Sequence, residues 1–348
     1  MQVTNESWSC SVILLVSDEA CVDRPLPFWE AELQNERIEG ADRLAGTSPE
    51  IARELENTMR QEFGIEVLDQ LLGGGLLPGS LTVLAGATGA GKTQLGLKWA
   101  NRGLSADGKR GVICDLTSRG DAQNHAGYAS EQFGWDLADY PAEEPVDLNA
   151  VWNFGRPIGD YFHPFTRTGR RVTRRDLEPD DWHAWKSDMA RILRKSVCFF
   201  YEHFVRGTRR VVVDGIEPTE RFGDSIQFEF FEYLYQQVLR KDDDWAAREL
   251  FREQFRANST QVEAHPYVQK TIGCLYLYTT PHILLDDLMA EPIGEGDIFS
   301  NANTIILMGR TRDSGRLGRA LYVAKHRGSA CGDEIRPYRL TDQGLVFD

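Results

Sequence analysis

The sequence predicts an α/β fold, a mostly parallel, twisted sheet with helices on both faces. Three observations carry that expectation. The stretch Gly86-Ala87-Thr88-Gly89-Ala90-Gly91-Lys92-Thr93 satisfies every fixed position of the phosphate-loop pattern G-x-x-x-x-G-K-[ST]. It lies between an apolar run of strand type, Ser80 to Ala85, and an amphipathic helical stretch from Gln94 to Arg102. Further apolar, strand-like runs follow it along the chain, with helical patterns between them.

The loop carries a specific chemistry. Its glycines let backbone N–H groups curl around phosphate oxygens, and the N-terminus of the helix behind it adds a favourable dipole. Gly86, Ala87, Thr88, Gly89, Ala90, Gly91, Lys92, Thr93 and Gln94 form the expected nucleotide-binding set. Lys92 reaches the β- and γ-phosphates in such a loop, and the Thr93 hydroxyl ligates Mg²⁺. The expected cofactors are therefore ATP and Mg²⁺.

Bulk properties narrow the classes. The 348 residues suffice for one large α/β domain with elaborations or for two smaller ones, and no second phosphate loop is present. A net charge of −14 disfavours non-specific adherence to nucleic acid or anionic membrane, although a local basic patch can still bind either. Cys10, Cys21, Cys114, Cys198, Cys274 and Cys331 are scattered, without a C-x-x-C pair or a histidine at metal-ligand spacing, which suits a reducing compartment. The apolar run Val12 to Val16 is too short to span a bilayer and lacks the flanks of a signal peptide. The expectation is a cytoplasmic protein with no membrane partner.

Taken in order, residues 1–60 read as a leader. Ser11 to Ser17 has strand character, Asp23 to Thr47 is polar, and Pro49 to Phe63 carries helix formers. Lys109 to Leu116 reads as the strand after the loop's helix. An insertion at about 140–205 follows. Within it, Asp160 to Phe165 and Arg170 to Arg175 suit a hairpin about Thr168-Gly169, and Pro179-Asp180-Asp181 opens a long amphipathic helix through about Val205. Arg209 to Asp214 is a buried-type strand ending in an acid, the Walker B pattern, so Asp214 joins Thr93 as an expected Mg²⁺ residue. Residues 226–262 read as helical, with Phe228, Phe230, Phe231, Tyr233 and Tyr235 on a core face, and Asp242-Asp243-Asp244 as a solvated turn. Ile272 to Thr280, Asn303 to Met308 and Arg319 to Val323 read as further strands.

Three regions carry a resemblance. Phe63-Gly64-Ile65-Glu66-Val67-Leu68-Asp69-Gln70-Leu71-Leu72-Gly73-Gly74-Gly75-Leu76-Leu77-Pro78-Gly79-Ser80, joined to the phosphate loop, closely resembles the opening of the KaiC/RadA branch of the RecA-like P-loop ATPases. Phe133-Gly134-Trp135-Asp136 is similar to the helix end of that branch. Tyr322 to Ser329, with Lys325-His326-Arg327-Gly328-Ser329, and Leu340-Thr341-Asp342-Gln343-Gly344-Leu345 are similar to its close. The resemblance covers roughly residues 63–136 and 205–348 and implies a single RecA-like P-loop NTPase domain over about 61–348. It also implies a homo-oligomer, a hexameric ring, in which Lys325 and Arg327 reach the neighbouring subunit's ATP. Alternate residues of a strand face one side, so these two cations project together and can both neutralise γ-phosphate charge. Thr279 and Thr280 become candidates for sensing that phosphate.

The chain also departs from the branch. The family places a glutamate, which polarises the attacking water, at the end of the strand after the loop's helix. Here Val112 to Asp121 contains none; Asp115 or Asp121 can substitute, with Glu217 a further candidate, at the cost of a changed reach. A cluster of Arg167, Arg170, Arg171, Arg174 and Arg175, interleaved with Phe162 and Phe165, suits a single-strand nucleic-acid groove, but Asp176, Glu178, Asp180 and Asp181 follow at once. Three functions therefore stay open: an ATP-hydrolysing motor or switch, a nucleotide-sensing scaffold with little hydrolysis, and a DNA-stimulated recombinase-like ATPase. The catalytic set expected for the first is Lys92, Asp115, Lys325 and Arg327.

Overall fold

Alternation along the strands explains how the chain builds two cores at once. The computed structural model describes residues 60–117, 124–165, 179–216, 226–290, 298–313, 315–328 and 332–347. In the central strand β1 (Leu81–Gly86) every residue is buried. Leu81, Val83 and Ala85 face one core and Leu84 the other. The flanking strands divide likewise. Val112 and Cys114 of β2 (Val112–Asp115) oppose Ile113 across the sheet, and Val211 and Val213 of the later strand Arg210–Ile216 oppose Val212. Strands buried on both faces belong in a parallel sheet covered by helices, which is the predicted class.

Chain order supplies the cover. After β1 comes α2 (Lys92–Ala106), preceded by the short α1 (Glu66–Leu71). Leu95, Leu97 and Trp99 of α2 fill one core. Asp69 explains the Leu-Asp pair in the opening segment: its carboxylate accepts the backbone N–H groups of Phe63, Gly64 and Ile65 at 2.7, 2.9 and 3.0 Å, closing the turn that leads into α1. Next come β2, α3 (His125–Phe133), β3 (Tyr161–Phe162), α4 (Pro179–Val205) and β4 (Arg210–Ile216). The predicted long helix thus runs from Pro179 to Val205. Its Phe199, Phe200, Tyr201 and Phe204 enter the second core.

Helices α5 (Ile226–Leu234), α6 (Asp243–Phe251) and α7 (Phe255–Ala264) complete that side, with a π-helical turn at Tyr235–Leu239. Phe228, Phe230, Phe231 and Tyr235 pack into the core as expected, while Tyr233 is half-buried outside it; Phe231 stacks on Tyr276 with ring centroids 4.5 Å apart. The triple aspartate is not a loose turn. Asp242 caps α6 by accepting the Trp245 N–H, and Asp243 and Asp244 form the helix's acidic first turn. The chain ends through β5 (Gly273–Thr279), α8 (Leu285–Ala290), α9 (Ile298–Asn301), β6 (Thr304–Asp313), β7 (Arg316–His326), β8 (Arg336–Thr341) and β9 (Gly344–Phe347).

Among the described residues the strands form one sheet in the order β3-β2-β4-β5-β1-β6-β7-β8-β9. Pairing is parallel from β3 through β6 and antiparallel from β6 to β9.

Two local expectations change. The stretch around Phe63 is not helical; Gln61 pairs antiparallel with Leu76, exchanging backbone hydrogen bonds of 2.8 and 3.0 Å, because the chain must run extended to close over the glycine turn. The other leader expectations, Ser11 to Ser17 and Pro49 to Met59, lie outside the described residues. Tyr161–Phe162 pairs parallel with β2 and stands at the end of the strand order among the described residues; the expected hairpin's turn at Thr168-Gly169, its second arm and the arginine cluster lie outside the described residues. The acid of β4 is not its last residue, since the strand continues to Ile216 through an irregularity at Gly215.

Candidate functional site

The phosphate loop is shaped by how closely its ends pass other chain segments. A Cβ on Gly86 would lie 2.3 Å from the Met308 carbonyl oxygen, so β1 can pair with β6 here only as glycine. Gly91 enters α2 with φ at +98°, the left-handed region. Tyr338 of β8 donates its hydroxyl to the Ala90 carbonyl at 2.7 Å and fixes the loop's other flank. Lys92 is 6% exposed, and its Nζ donates to the carbonyls of Gly86 at 2.8 Å and Ala87 at 3.1 Å. Burial pushes the Lys92 ammonium down to about 8, against the opposing pull of the Asp214 charge.

The strand acid meets the loop directly. Thr93 Oγ1 donates to Asp214 Oδ2 at 2.7 Å, joining residues 121 apart in sequence. The Gly215 N–H donates to Asp214 Oδ1 at 2.6 Å. The third partner is His125, whose Nε2 lies 3.0 Å from Oδ2. Burial alone would raise the Asp214 carboxyl, but His125, Thr93 and Lys92 together hold it below the ordinary range. A hydroxyl and a charged carboxylate in contact beside a helix N-terminus are hard oxygen donors of the kind Mg²⁺ takes alongside phosphate and water. The residues present fit the group.

Asp115 is the register partner of Asp214 across β2 and β4. It is fully buried, and both of its oxygens are engaged. Oδ1 accepts the Thr117 N–H at 2.8 Å, and Oδ2 accepts the Tyr161 hydroxyl. The alternatives Asp121 and Glu217 lie outside the described residues. Thr279 pairs with Gly86 across β1 and β5, and the Thr280 N–H donates to the Gly86 carbonyl at 3.1 Å, so both threonines stand beside the loop. Gln94 sits in the first turn of α2.

Lys325 and Arg327 are elsewhere. Thr304 pairs with Thr82 on one side and His326 on the other, whereas Gly86 pairs with Met308. The two cations therefore lie toward the opposite end of the strands from the loop, three to four residues or roughly 10–13 Å away along the strands at ~3.3 Å per residue. Nor do they share one regular strand: β7 bulges between its pairings to Ile305 and Ile306 and ends at His326. They remain neighbours, because burial and then the Arg327 charge lower the Lys325 ammonium.

Sequence reasoning missed His125 and Tyr161. No motif flags either one, and they reach the site only because β3 and α3 flank β2. The imidazole is 1% exposed, and its ring packs on Tyr161 at a centroid distance of 5.4 Å.

Fold and loop together define a RecA-like P-loop domain. Residues 61–153 match the KaiC family of ATPases. The circadian clock protein KaiC2 of Synechocystis sp. is 32% identical over 91 residues, 26% of this chain and 15% of that protein. DNA repair protein RadA of Mycolicibacterium smegmatis is 41% identical over 83 residues, 22% of this chain and 18% of that protein. The circadian clock oscillator protein KaiC of Parathermosynechococcus lividus is 34% identical over 84 residues, 24% of this chain and 15% of that protein. The chain thus spans less than a fifth of the length of these curated relatives. Over these residues the chain is similar to KaiC-like and RadA ATPases, and that likeness, which spans the phosphate loop, supports ATP binding. No described helix is long and apolar enough to cross a membrane.

Proposed function

We propose that this protein binds ATP with Mg²⁺ in the cytoplasm and works as a ring-forming ATPase, a motor or switch whose sites are shared between subunits. The observation that carries the reading is the 2.7 Å contact between Thr93 and Asp214, which unites the loop with the strand acid in one buried site. Backbone N–H groups of Gly86 to Thr93 would hold the phosphates. Lys92 would exchange its own loop's carbonyls for phosphate oxygens, and Thr93 and Asp214 would hold Mg²⁺. When bound, the ion neutralises phosphate charge and orients the phosphates for transfer. The position of Lys325 and Arg327 toward the far end of the strands supports a role on a neighbour's nucleotide, since they cannot reach their own loop in this fold.

A second reading, a nucleotide-sensing scaffold with little hydrolysis, is favoured by the state of Asp115. A carboxylate that accepts hydrogen bonds at both oxygens is poorly placed to take a proton from water. ATP turnover with Mg²⁺, run beside Lys92→Ala and with sedimentation in the presence and absence of ATP, separates the two. Turnover well above that variant supports the motor or switch. ATP-dependent assembly without turnover supports the scaffold. Neither binding nor assembly would overturn both.

A further inference from the structure

The buried imidazole of His125 has no part in the phosphate-loop pattern, yet it makes the closest contact that α3 offers the site. It opens the helix after Asn124, which is held at a left-handed φ of 56°. Nε2 lies 3.0 Å from Asp214 Oδ2, and Nδ1 lies 3.8 Å from Asp115 Oδ2. Tyr161 fixes the ring from one side and donates its hydroxyl to the same Asp115 oxygen. Asp214 Oδ2 is thus shared by the Thr93 hydroxyl and the imidazole, while Oδ1 is held by the Gly215 N–H.

We propose that His125 is a positioning residue for the Mg²⁺ side of the nucleotide site, fixing the rotation of the Asp214 carboxylate through Oδ2. The proposal rests on the reading of Gly86 to Thr93 with Asp214 as an ATP–Mg²⁺ site. Its physical basis is the strictness of Mg²⁺, which demands near-octahedral oxygen geometry and tolerates little rotation of a carboxylate in its shell. The Gly215 N–H is part of the strand and the Thr93 hydroxyl is itself a prospective ligand. Among the described residues, His125 is therefore the side chain that orients Asp214 by a hydrogen bond without entering the shell. Asp115 and Tyr161 hold the imidazole in turn, so β3 takes part in shaping a site whose acid lies on β4, two strands from it in the sheet order. Groups that orient a metal-binding side chain typically cost 10–100-fold in metal affinity when removed.

The test is the dissociation constant of mant-ATP for the full chain, with Mg²⁺ and with EDTA, in wild type, His125→Ala and His125→Gln. The glutamine amide N–H reaches the place of Nε2. His125→Ala is expected to lower the ratio of the two constants about tenfold with the EDTA value unchanged, and His125→Gln to restore most of it. A wild-type ratio in His125→Ala overturns the proposal. Equal weakening with and without Mg²⁺ in both variants also overturns it, assigning the residue to packing alone. A wild type that binds no mant-ATP, or binds no better than Lys92→Ala, fails the nucleotide reading itself and this proposal with it.

Discussion

Lys92 and Asp214 illustrate how burial sets the chemistry of single groups. The ammonium is kept charged against desolvation by two loop carbonyls and the Asp214 carboxylate. Phosphate oxygens would replace the carbonyls with charged acceptors, and hydrogen bonds to charged groups are worth about 1.5–3 kcal/mol. Lys92→Ala should therefore weaken mant-ATP binding by at least about 10- to 100-fold, measured by fluorescence titration. Asp214→Asn should behave differently. Its carboxyl is held below the ordinary range and so is charged throughout the neutral region. Losing that charge should remove the Mg²⁺-dependent gain in affinity and leave binding in EDTA nearly intact. Equal loss in both conditions would show that Asp214 shapes the loop instead of serving the ion.

At the scale of elements, α4 is docked by polar contacts as well as by its aromatic face. His203 Nε2 donates to the Gly159 carbonyl at 3.0 Å, and burial pushes its imidazole from 6.5 down to about 3. Between those values the unfolded chain binds a proton that the folded chain refuses. Stability present above pH 6.5 should therefore be lost as the pH falls through this window, at a slope approaching ~1.4 kcal/mol per pH unit. His203→Gln, which keeps an N–H donor but does not titrate, should flatten that slope in urea denaturation between pH 7 and pH 4. An unchanged slope would place the acid sensitivity elsewhere. On the same side of the sheet, Phe231 is fully buried against Tyr276. Phe231→Ala should cost about 3–5 kcal/mol of stability, read from the urea midpoint, without altering Mg²⁺ dependence.

For the whole molecule, the separation of loop and cations along the strands makes a testable division of labour. Lys325→Ala with Arg327→Ala should spare nucleotide binding, because neither side chain lies at its own loop's end of the strands, and should reduce turnover or assembly. Mixing that double variant with Lys92→Ala should recover part of the turnover, since each chain then supplies what the other lacks across an interface. Retained assembly and full turnover in the double variant alone would sink the shared-site reading. Loss of nucleotide binding by the separate chain would do the same.

Local chemistry made the phosphate loop, the opening segment before it and the long helix from Pro179 to Val205 legible in the sequence. Each is specified by residues close together in the chain: glycines at required turns, Asp69 capping its own approach, an acidic first turn. The buried character of the Arg209 to Asp214 strand was equally readable, because a continuous apolar run bounded by polar residues reports it. What only the tertiary structure decided is who meets whom across distance. It set Asp115 beside Asp214, brought His125 and Tyr161 from α3 and β3 onto those acids, and paired Tyr161–Phe162 parallel with β2. It also placed Lys325 and Arg327 toward the end of the strands away from their own loop. Strand order and register fix such contacts, and they are products of whole-chain packing that no local run of residues encodes.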